Sequence, residues 1–105
     1  MKTKSDKDNG ERAVVVCTAK RGVFFGYTRE TGQAIFDRTT VTLQRARMCT
    51  YWSAETKGVL GLGSIGPQKG SRIGPQVPEL TCGEITAVYG CTPAAVEAWE
   101  ASPWK

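Results

Sequence analysis

The apolar residues in the first half of the chain come in short β-branched and aromatic runs of strand length. Residues 12–18 (RAVVVCT) predict a central strand, and residues 23–28 (VFFGYT) predict a second strand after a turn at residues 19–22. Two strands joined by so short a turn are typical of a β-hairpin. Residues 33–36 and 39–43 continue the pattern, so the first half of the chain is predicted to be all strand.

A change of face within residues 41–52 predicts an irregularity in the sheet. The apolar residues of this run stand at odd positions before Arg45 and at even positions after it. The period-two alternation of a strand cannot switch sides without an interruption, so we expect a β-bulge or a sheet corner near Arg45 to Arg47. Both arginines are then predicted to point outward.

Glycine and proline organise the second half of the chain. Residues 53–58 predict a single helical turn capped by Ser53. Residues 61–78 hold five glycines and three prolines, which predicts one long Gly/Pro loop, or two loops around a short extended segment. A loop of this length in a small domain is typical of a functional or mobile segment. Strand character resumes at residues 80–82 and 84–89.

The C-terminal segment carries the signals of a short helix. Thr92 is predicted to be the N-cap and Pro93 the first helical residue, where the missing N–H of proline costs nothing. A helix over residues 94–100 places Val96 and Trp99 on one face, which can pack against the sheet. The predicted fold class is therefore mainly β: a small antiparallel β-barrel or sandwich with a short C-terminal α-helix.

The length and composition predict one domain preceded by an arm. A chain of 105 residues has room for a single hydrophobic core. Residues 1–11 are polar and mixed in charge, so they predict a flexible N-terminal arm, and residues 12–105 predict one β-rich domain that contains the Gly/Pro loop 61–78. We expect no membrane partner, because no apolar run approaches the length that crosses a bilayer.

Histidine is absent from the sequence, and this excludes several classes of enzyme. A Ser-His-Asp triad, a Cys-His dyad, a histidine-ligated zinc ion and an imidazole general base all need it. The ten acidic residues are scattered, and none of them forms an obvious catalytic pair. We therefore expect a protein that is not an enzyme, with no catalytic residue and no cofactor.

The spacing of the cysteines does not favour a metal site. Cys17, Cys49, Cys82 and Cys91 form no C-x-x-C pair, so neither a zinc knuckle nor a redox motif is predicted. In a cytoplasm such residues are typically reduced, buried thiols. If the protein ends in an extracellular particle, disulfide bonds could form after release, and the sequence does not choose among the three possible pairings.

The charge is unevenly distributed along the chain. The formal net charge is +4, with +1 over residues 1–12, +6 over residues 13–75 and −3 over residues 76–105. A basic middle favours an acidic partner such as nucleic acid, a phosphate-bearing ligand or an acidic protein surface. The alternative is that these cations only keep the strand edges soluble.

The middle of the Gly/Pro loop has the residue types of an anion-binding nest. Lys69, Ser71 and Arg72 supply two cations and a hydroxyl group, and the surrounding backbone offers amide N–H groups. We predict that these three residues contact a phosphate or an acidic side chain. A plain surface loop is the alternative.

Cations and aromatic residues are mixed near the end of the run at residues 41–52. Arg45 and Arg47 shortly precede Tyr51 and Trp52, and such a mixture can bind single-stranded nucleic acid by stacking and charge. Arg45, Arg47 and Trp52 are therefore predicted to bind a nucleic acid or a nucleotide. The alternative is structural, because Trp52 can fill a small core and arginine commonly stacks on aromatic residues at its edge.

Four segments occur in the order of a known family, and together they span most of the chain. They are residues 12–16 (RAVVV), 22–27 (GVFFGY), 46–54 (ARMCTYWSA) and 92–96 (TPAAV). The set resembles a family of small uncharacterised proteins of tailed phages and prophages, marked by an Ala-Arg and Tyr-Trp-Ser-Ala signature in mid-chain. The resemblance implies a viral origin, and it carries over no catalytic residue.

For such a protein we expect a non-enzymatic, virion-associated structural or accessory role. It would decorate the capsid or tail, dock through the N-terminal arm and the Gly/Pro loop, and contact other phage structural proteins, further copies of itself as a homo-oligomer, or both. It would be made in the host cytoplasm and located in the virion. The alternative is an intracellular binding protein that sequesters a nucleotide or a nucleic acid against host defence.

Overall fold

The computed structural model describes residues 11–19, 22–29 and 40–103, and within them the fold is mainly β, as predicted. The strands are β1 Arg12–Thr18, β2 Val23–Thr28, β3 Thr40–Tyr51, β4 Arg72–Ile73, β5 Val77–Gly83 and β6 Ile85–Gly90. The helical elements are a 3-10 turn Ala54–Thr56, a one-turn helix α1 Gly61–Ser64 and a C-terminal helix α2 Pro93–Ala101. Of the predicted arm only Glu11 is described, and the strand predicted at residues 33–36 lies outside the described residues.

The sheet is antiparallel and strongly bent. Its strand order is β4-β3-β2-β1-β6, and β5 pairs with the first half of β3. These pairings make β5 and β6 run in the same direction, and only Glu84, with a φ of 53°, separates them. The two act as one kinked strand that connects the β3 edge of the sheet to the β1 edge. The architecture is therefore barrel-like, although no hydrogen-bonded ladder among the described residues closes the barrel.

Strand β1 is central, as predicted, and it is buried on both faces. Val14 and Val16 belong to an inner cluster, and Val15 belongs to an outer one. The buried inner residues are Val14, Val16, Val41, Leu43, Ala46 and Cys82. The buried outer residues are Val15, Val23, Phe25, Cys49, Leu62, Ile73 and Trp99, which come from the sheet and from both helices. Both faces of the sheet are thus covered where β1, β2 and β3 meet.

Helix α2 confirms the predicted C-terminal helix. The Thr92 hydroxyl accepts a hydrogen bond from the Ala95 N–H at 3.1 Å, and Pro93 stands in the first turn. Trp99 is fully buried and Val96 packs beside it, because both project from the face that lies on the sheet. In the described part of the chain, no helix combines the length and the apolar character that a membrane span requires.

The predicted bulge lies at Arg45, but the prediction that both arginines point outward is wrong. Tyr27 faces Gln44 and Phe25 faces Arg47, so β3 has one extra residue, and Arg45 has a φ of 49°. The bulge sends Arg45 into solvent and turns Arg47 towards the outer face. Helix α2 covers that face, so a residue that points away from the inner core becomes buried under the helix.

The prediction of a long loop at residues 61–78 is only partly correct. Helix α1 begins at Gly61 and β5 begins at Val77, so the irregular segments are shorter than predicted. A Cβ atom at position 61 would lie 1.6 Å from the carbonyl oxygen of Thr56. Glycine at this position permits close packing of α1 rather than mobility. Strand β4 matches the short extended segment of the second alternative.

Candidate functional site

Four of the six residues selected from the sequence lie together where β3 ends and β4 begins. Trp52 directly follows β3, and Lys69, Ser71 and Arg72 form the approach to β4 and its first residue. We call the surface made by Tyr51, Trp52, Lys69 and Arg72 the aromatic–cationic surface. The sequence could not show this proximity, because it depends on the pairing of β3 with β4.

Tyr51 and Arg72 are opposite each other across the two strands. The register shifts at this point, because β3 has one extra residue, Thr50, between the pairs Cys49–Ile73 and Tyr51–Arg72. The side chains of Tyr51 and Arg72 line the same recess. Tyr51 is 54% exposed, and Arg72 and Lys69 are also exposed. Trp52 is half-buried and packs on the outer cluster. The indole of Trp52 therefore anchors the surface, whereas the Tyr51 side chain is available to a ligand.

A tight turn presents Lys69. The Ser71 N–H donates to the Gln68 carbonyl at 3.0 Å, and Gly70, at the third position of the turn, has a φ of +96°. This is the geometry of a type II turn, which favours glycine at that position. The turn exposes Lys69 to solvent just before β4. Gly70 lines a surface recess together with Tyr51.

Ser71 has internal partners that tie the turn to the rest of the fold. The Ser71 Oγ accepts a hydrogen bond from the Ser53 N–H at 3.0 Å and lies 3.3 Å from the Thr56 Oγ1. The buried Thr56 hydroxyl in turn accepts from the Gln68 N–H at 3.1 Å. The 3-10 turn after Ser53 forms as predicted, although the Ser53 hydroxyl does not cap it. The structure therefore gives Ser71 a positioning role beside the exposed cations.

Two recesses adjoin at Tyr51. One has a volume of about 540 Å³ and is lined by Thr50, Tyr51, Gly70 and Arg72. The other has a volume of about 320 Å³ and is lined by Thr50, Tyr51 and Trp52. Thr50 and Tyr51 line both recesses, so a group bound in either one lies next to Tyr51. Both recesses are shallow and open to solvent. They can therefore accept a flat chemical group that lies on the surface, but they do not enclose a small molecule.

Arg45 lies away from this surface. It is six positions before Tyr51, which is about 20 Å along an extended strand. Its guanidinium group stacks over the ring of Tyr27 at 4.3 Å from the ring centroid and forms a salt bridge with Glu11. The Tyr27 hydroxyl donates to Glu100 of α2. Arg45 thus belongs to a separate cluster that joins the start of β1, the bulge and the C-terminal helix.

Arg47 is a buried structural residue. Its Nε donates to the Gly74 carbonyl at 2.8 Å, and its Nη1 donates to the Trp99 carbonyl at 2.7 Å. Burial lowers the pKa of the Arg47 guanidinium group. Because the side chain is only 6% exposed, it is not part of the aromatic–cationic surface. It connects the segment after β4 to the C-terminal turn of α2.

The cysteines are free thiols held in their protonated form. Burial raises the pKa of Cys49 and of Cys82 to about 11, and it raises the pKa of Cys91 to about 12. Burial also raises the pKa of Cys17. The thiolate is the reactive form, so these groups are poor nucleophiles near neutral pH. Among the residues that the structure describes, no three His, Cys, Asp or Glu side chains are grouped to hold a metal ion.

Three residues of the site are absent from the sequence-based selection. Thr50, Tyr51 and Gly70 line the larger recess with Arg72. The run Gln-Lys-Gly-Ser at residues 68–71 contained a usable signal, because glycine at its third position favours a type II turn that displays the lysine. No sequence pattern points to Thr50 as a site residue, because its position beside Arg72 depends on the register between β3 and β4.

The fold and this surface define a small, mainly β protein with an exposed aromatic–cationic surface on one edge of its sheet. Residues 11–99 match the model of a family described as Domain of unknown function (DUF6948), and the chain belongs to that family. No curated protein and no solved structure matches the chain.

Proposed function

We propose that this protein is a non-enzymatic binding module that holds an anionic partner on the aromatic–cationic surface. The observation that carries the proposal is the cross-strand pair of Tyr51 and Arg72, with the exposed Lys69 on the turn that precedes β4. Exposed cations beside an exposed aromatic ring can attract an anion and provide a contact surface for it. The basic middle of the chain supports the same partner chemistry.

The chemistry of the buried polar groups supports binding over catalysis. The thiols of Cys49, Cys82 and Cys91 have raised pKa values because they are buried, so they are protonated near neutral pH. Burial likewise raises the pKa of the Tyr27 and Tyr89 hydroxyl groups. These groups are poor nucleophiles and poor general bases, and none of them lies on the aromatic–cationic surface.

Charge reversal on the surface tests this proposal. We expect Arg72→Glu and Lys69→Glu to elute from immobilised heparin at lower salt than the unmodified protein, because each substitution turns a favourable contact with a polyanion into a repulsive one. Arg29→Glu is the matched control, because Arg29 is an exposed cation beyond the far end of β2. All three variants lower the formal net charge from +4 to +2. Equal shifts for all three would contradict the proposal, because retention would then depend on net charge alone.

We also propose that the place of action is a phage particle, as a virion-associated accessory protein. The resemblance of four segments to phage and prophage proteins supports this, and its mid-chain signature includes Tyr51 and Trp52 of the aromatic–cationic surface. We expect mass spectrometry of purified particles from an induced host to find the protein in constant stoichiometry to the major capsid protein. Its presence in the infected cell but not in the particles would favour the intracellular binding protein instead.

A further inference from the structure

The shape of the aromatic–cationic surface restricts the kind of anion that fits it. The carboxylates of an acidic peptide would satisfy Lys69 and Arg72, but aspartate and glutamate side chains offer no aromatic ring to stack on Tyr51. The 54% exposure of Tyr51 and the two recesses that it lines suit a ligand that carries flat aromatic groups together with negative charges. Nucleic acids combine the two, since bases stack and phosphates are charged.

The position of Tyr51 also favours single strands over duplexes. A base can reach an aromatic side chain on a protein surface only when it leaves its own stack, and the bases of an unpaired strand do this at little cost. Arg72 lines the larger recess with Tyr51, and Lys69 lines a neighbouring recess on the turn. Gly70 lines both recesses and so links the two cations. A strand that stacks a base on Tyr51 can therefore place its neighbouring phosphates near both cations.

We infer that the ligand of the aromatic–cationic surface is single-stranded nucleic acid, with a base stacked on Tyr51 and the backbone held by Arg72 and Lys69. This inference rests on the proposed function and names the partner class. The contacts are few, so the site binds weakly and without direct reading of base edges. Stacking is tolerant of sequence because every base has a flat face.

Substitutions at Tyr51 test the stacking contact. We expect Tyr51→Ala to weaken the binding of fluorescein-labelled oligothymidylate by about 5- to 150-fold in fluorescence anisotropy, which corresponds to the loss of one base–aromatic stack. Tyr51→Phe keeps the ring, so its dissociation constant should stay within about twofold of the unmodified value. The melting temperature of each variant shows whether the fold is intact, and we expect little change because Tyr51 is exposed at a strand end.

The salt dependence of oligothymidylate binding reports the number of phosphate contacts. Two contacts on a single strand predict a slope of log K against log salt of about −1.4, and Arg72→Gln should reduce it to about −0.7. The annealed duplex with oligoadenylate should bind more weakly than the single strand. Equal or tighter binding of the duplex would overturn the inference, and so would equal binding by Tyr51→Ala and Tyr51→Phe.

The outcomes separate this inference from the proposed function. If Arg72→Glu lowers heparin retention but oligothymidylate does not bind, the inference is wrong and the anion-binding surface remains. If poly-L-glutamate binds in an Arg72-dependent manner where oligothymidylate fails, the partner is an acidic protein, which also overturns the inference. If heparin retention is unchanged by Arg72→Glu and Lys69→Glu, both proposals fail.

Discussion

Replacing Arg47 with methionine is expected to lower the free energy of unfolding by about 3–5 kcal/mol. Methionine is also long and unbranched, so it fills much of the same space, but it has no N–H group. The carbonyls of Gly74 and Trp99 therefore lose the hydrogen bonds that Arg47 donates to them. A buried polar group without a partner costs about 1–3 kcal/mol, and here two carbonyls are affected. Urea unfolding followed by circular dichroism measures the change.

Arg45→Met is the matched control on the same strand. Arg45 is exposed and contributes a salt bridge with Glu11 and a contact with the Tyr27 ring. Surface interactions of these kinds contribute about 1 kcal/mol or less each, so the control should be much milder than Arg47→Met. Equal effects of the two substitutions would show that Arg47 does not connect the segment after β4 to α2.

Trp99→Ala is expected to destabilise the fold by about 3–5 kcal/mol. Trp99 is fully buried and stacks on Phe25, with the ring centroids 5.0 Å apart and an angle of 11° between the rings. Its Nε1 donates to the Leu62 carbonyl of α1 at 2.9 Å. The substitution leaves a large cavity in the outer cluster and an unpaired carbonyl. The thermal unfolding midpoint and the urea midpoint should both fall.

Trp99→Phe separates packing from hydrogen bonding at this position. Phenylalanine keeps the ring on Phe25 but cannot donate to Leu62, so we expect a loss of about 1–3 kcal/mol. The double variant with Arg47→Met should be non-additive, because Arg47 donates to the Trp99 carbonyl. A Trp99→Ala variant as stable as the unmodified protein would contradict the description of the outer cluster.

The sequence predicted the elements that depend on local chemistry. The valine run of β1, the Thr92–Pro93 helix start and the change of face at Arg45 are each encoded within a few residues, and the structure confirms them. The strand pattern predicts an outward Arg47 because it does not show what covers the second face of the sheet. The sequence does not predict the one-turn helix α1, because glycine is typical of a loop, whereas Gly61 permits close contact with Thr56.

The candidate site was predictable in its residue types but not in its arrangement. Trp52, Lys69 and Arg72 were selected for their chemistry, and the pairing of β3 with β4 brings them together. Arg45 has the same chemistry, yet the bulge directs it to Tyr27 and Glu11 instead. Met48 shows the same dependence on context, since this apolar residue of β3 is 39% exposed. Strand register and bulge geometry decide these outcomes, and both depend on residues distant in the sequence.

The most direct test of the binding surface is an NMR titration of the 15N-labelled protein with unlabelled oligothymidylate. We expect the largest amide shift changes at residues 50–52 and 69–72, with little change at Arg45 or Arg29. Shift changes that are absent from both ranges, or that centre on Arg45, would contradict the proposed binding surface.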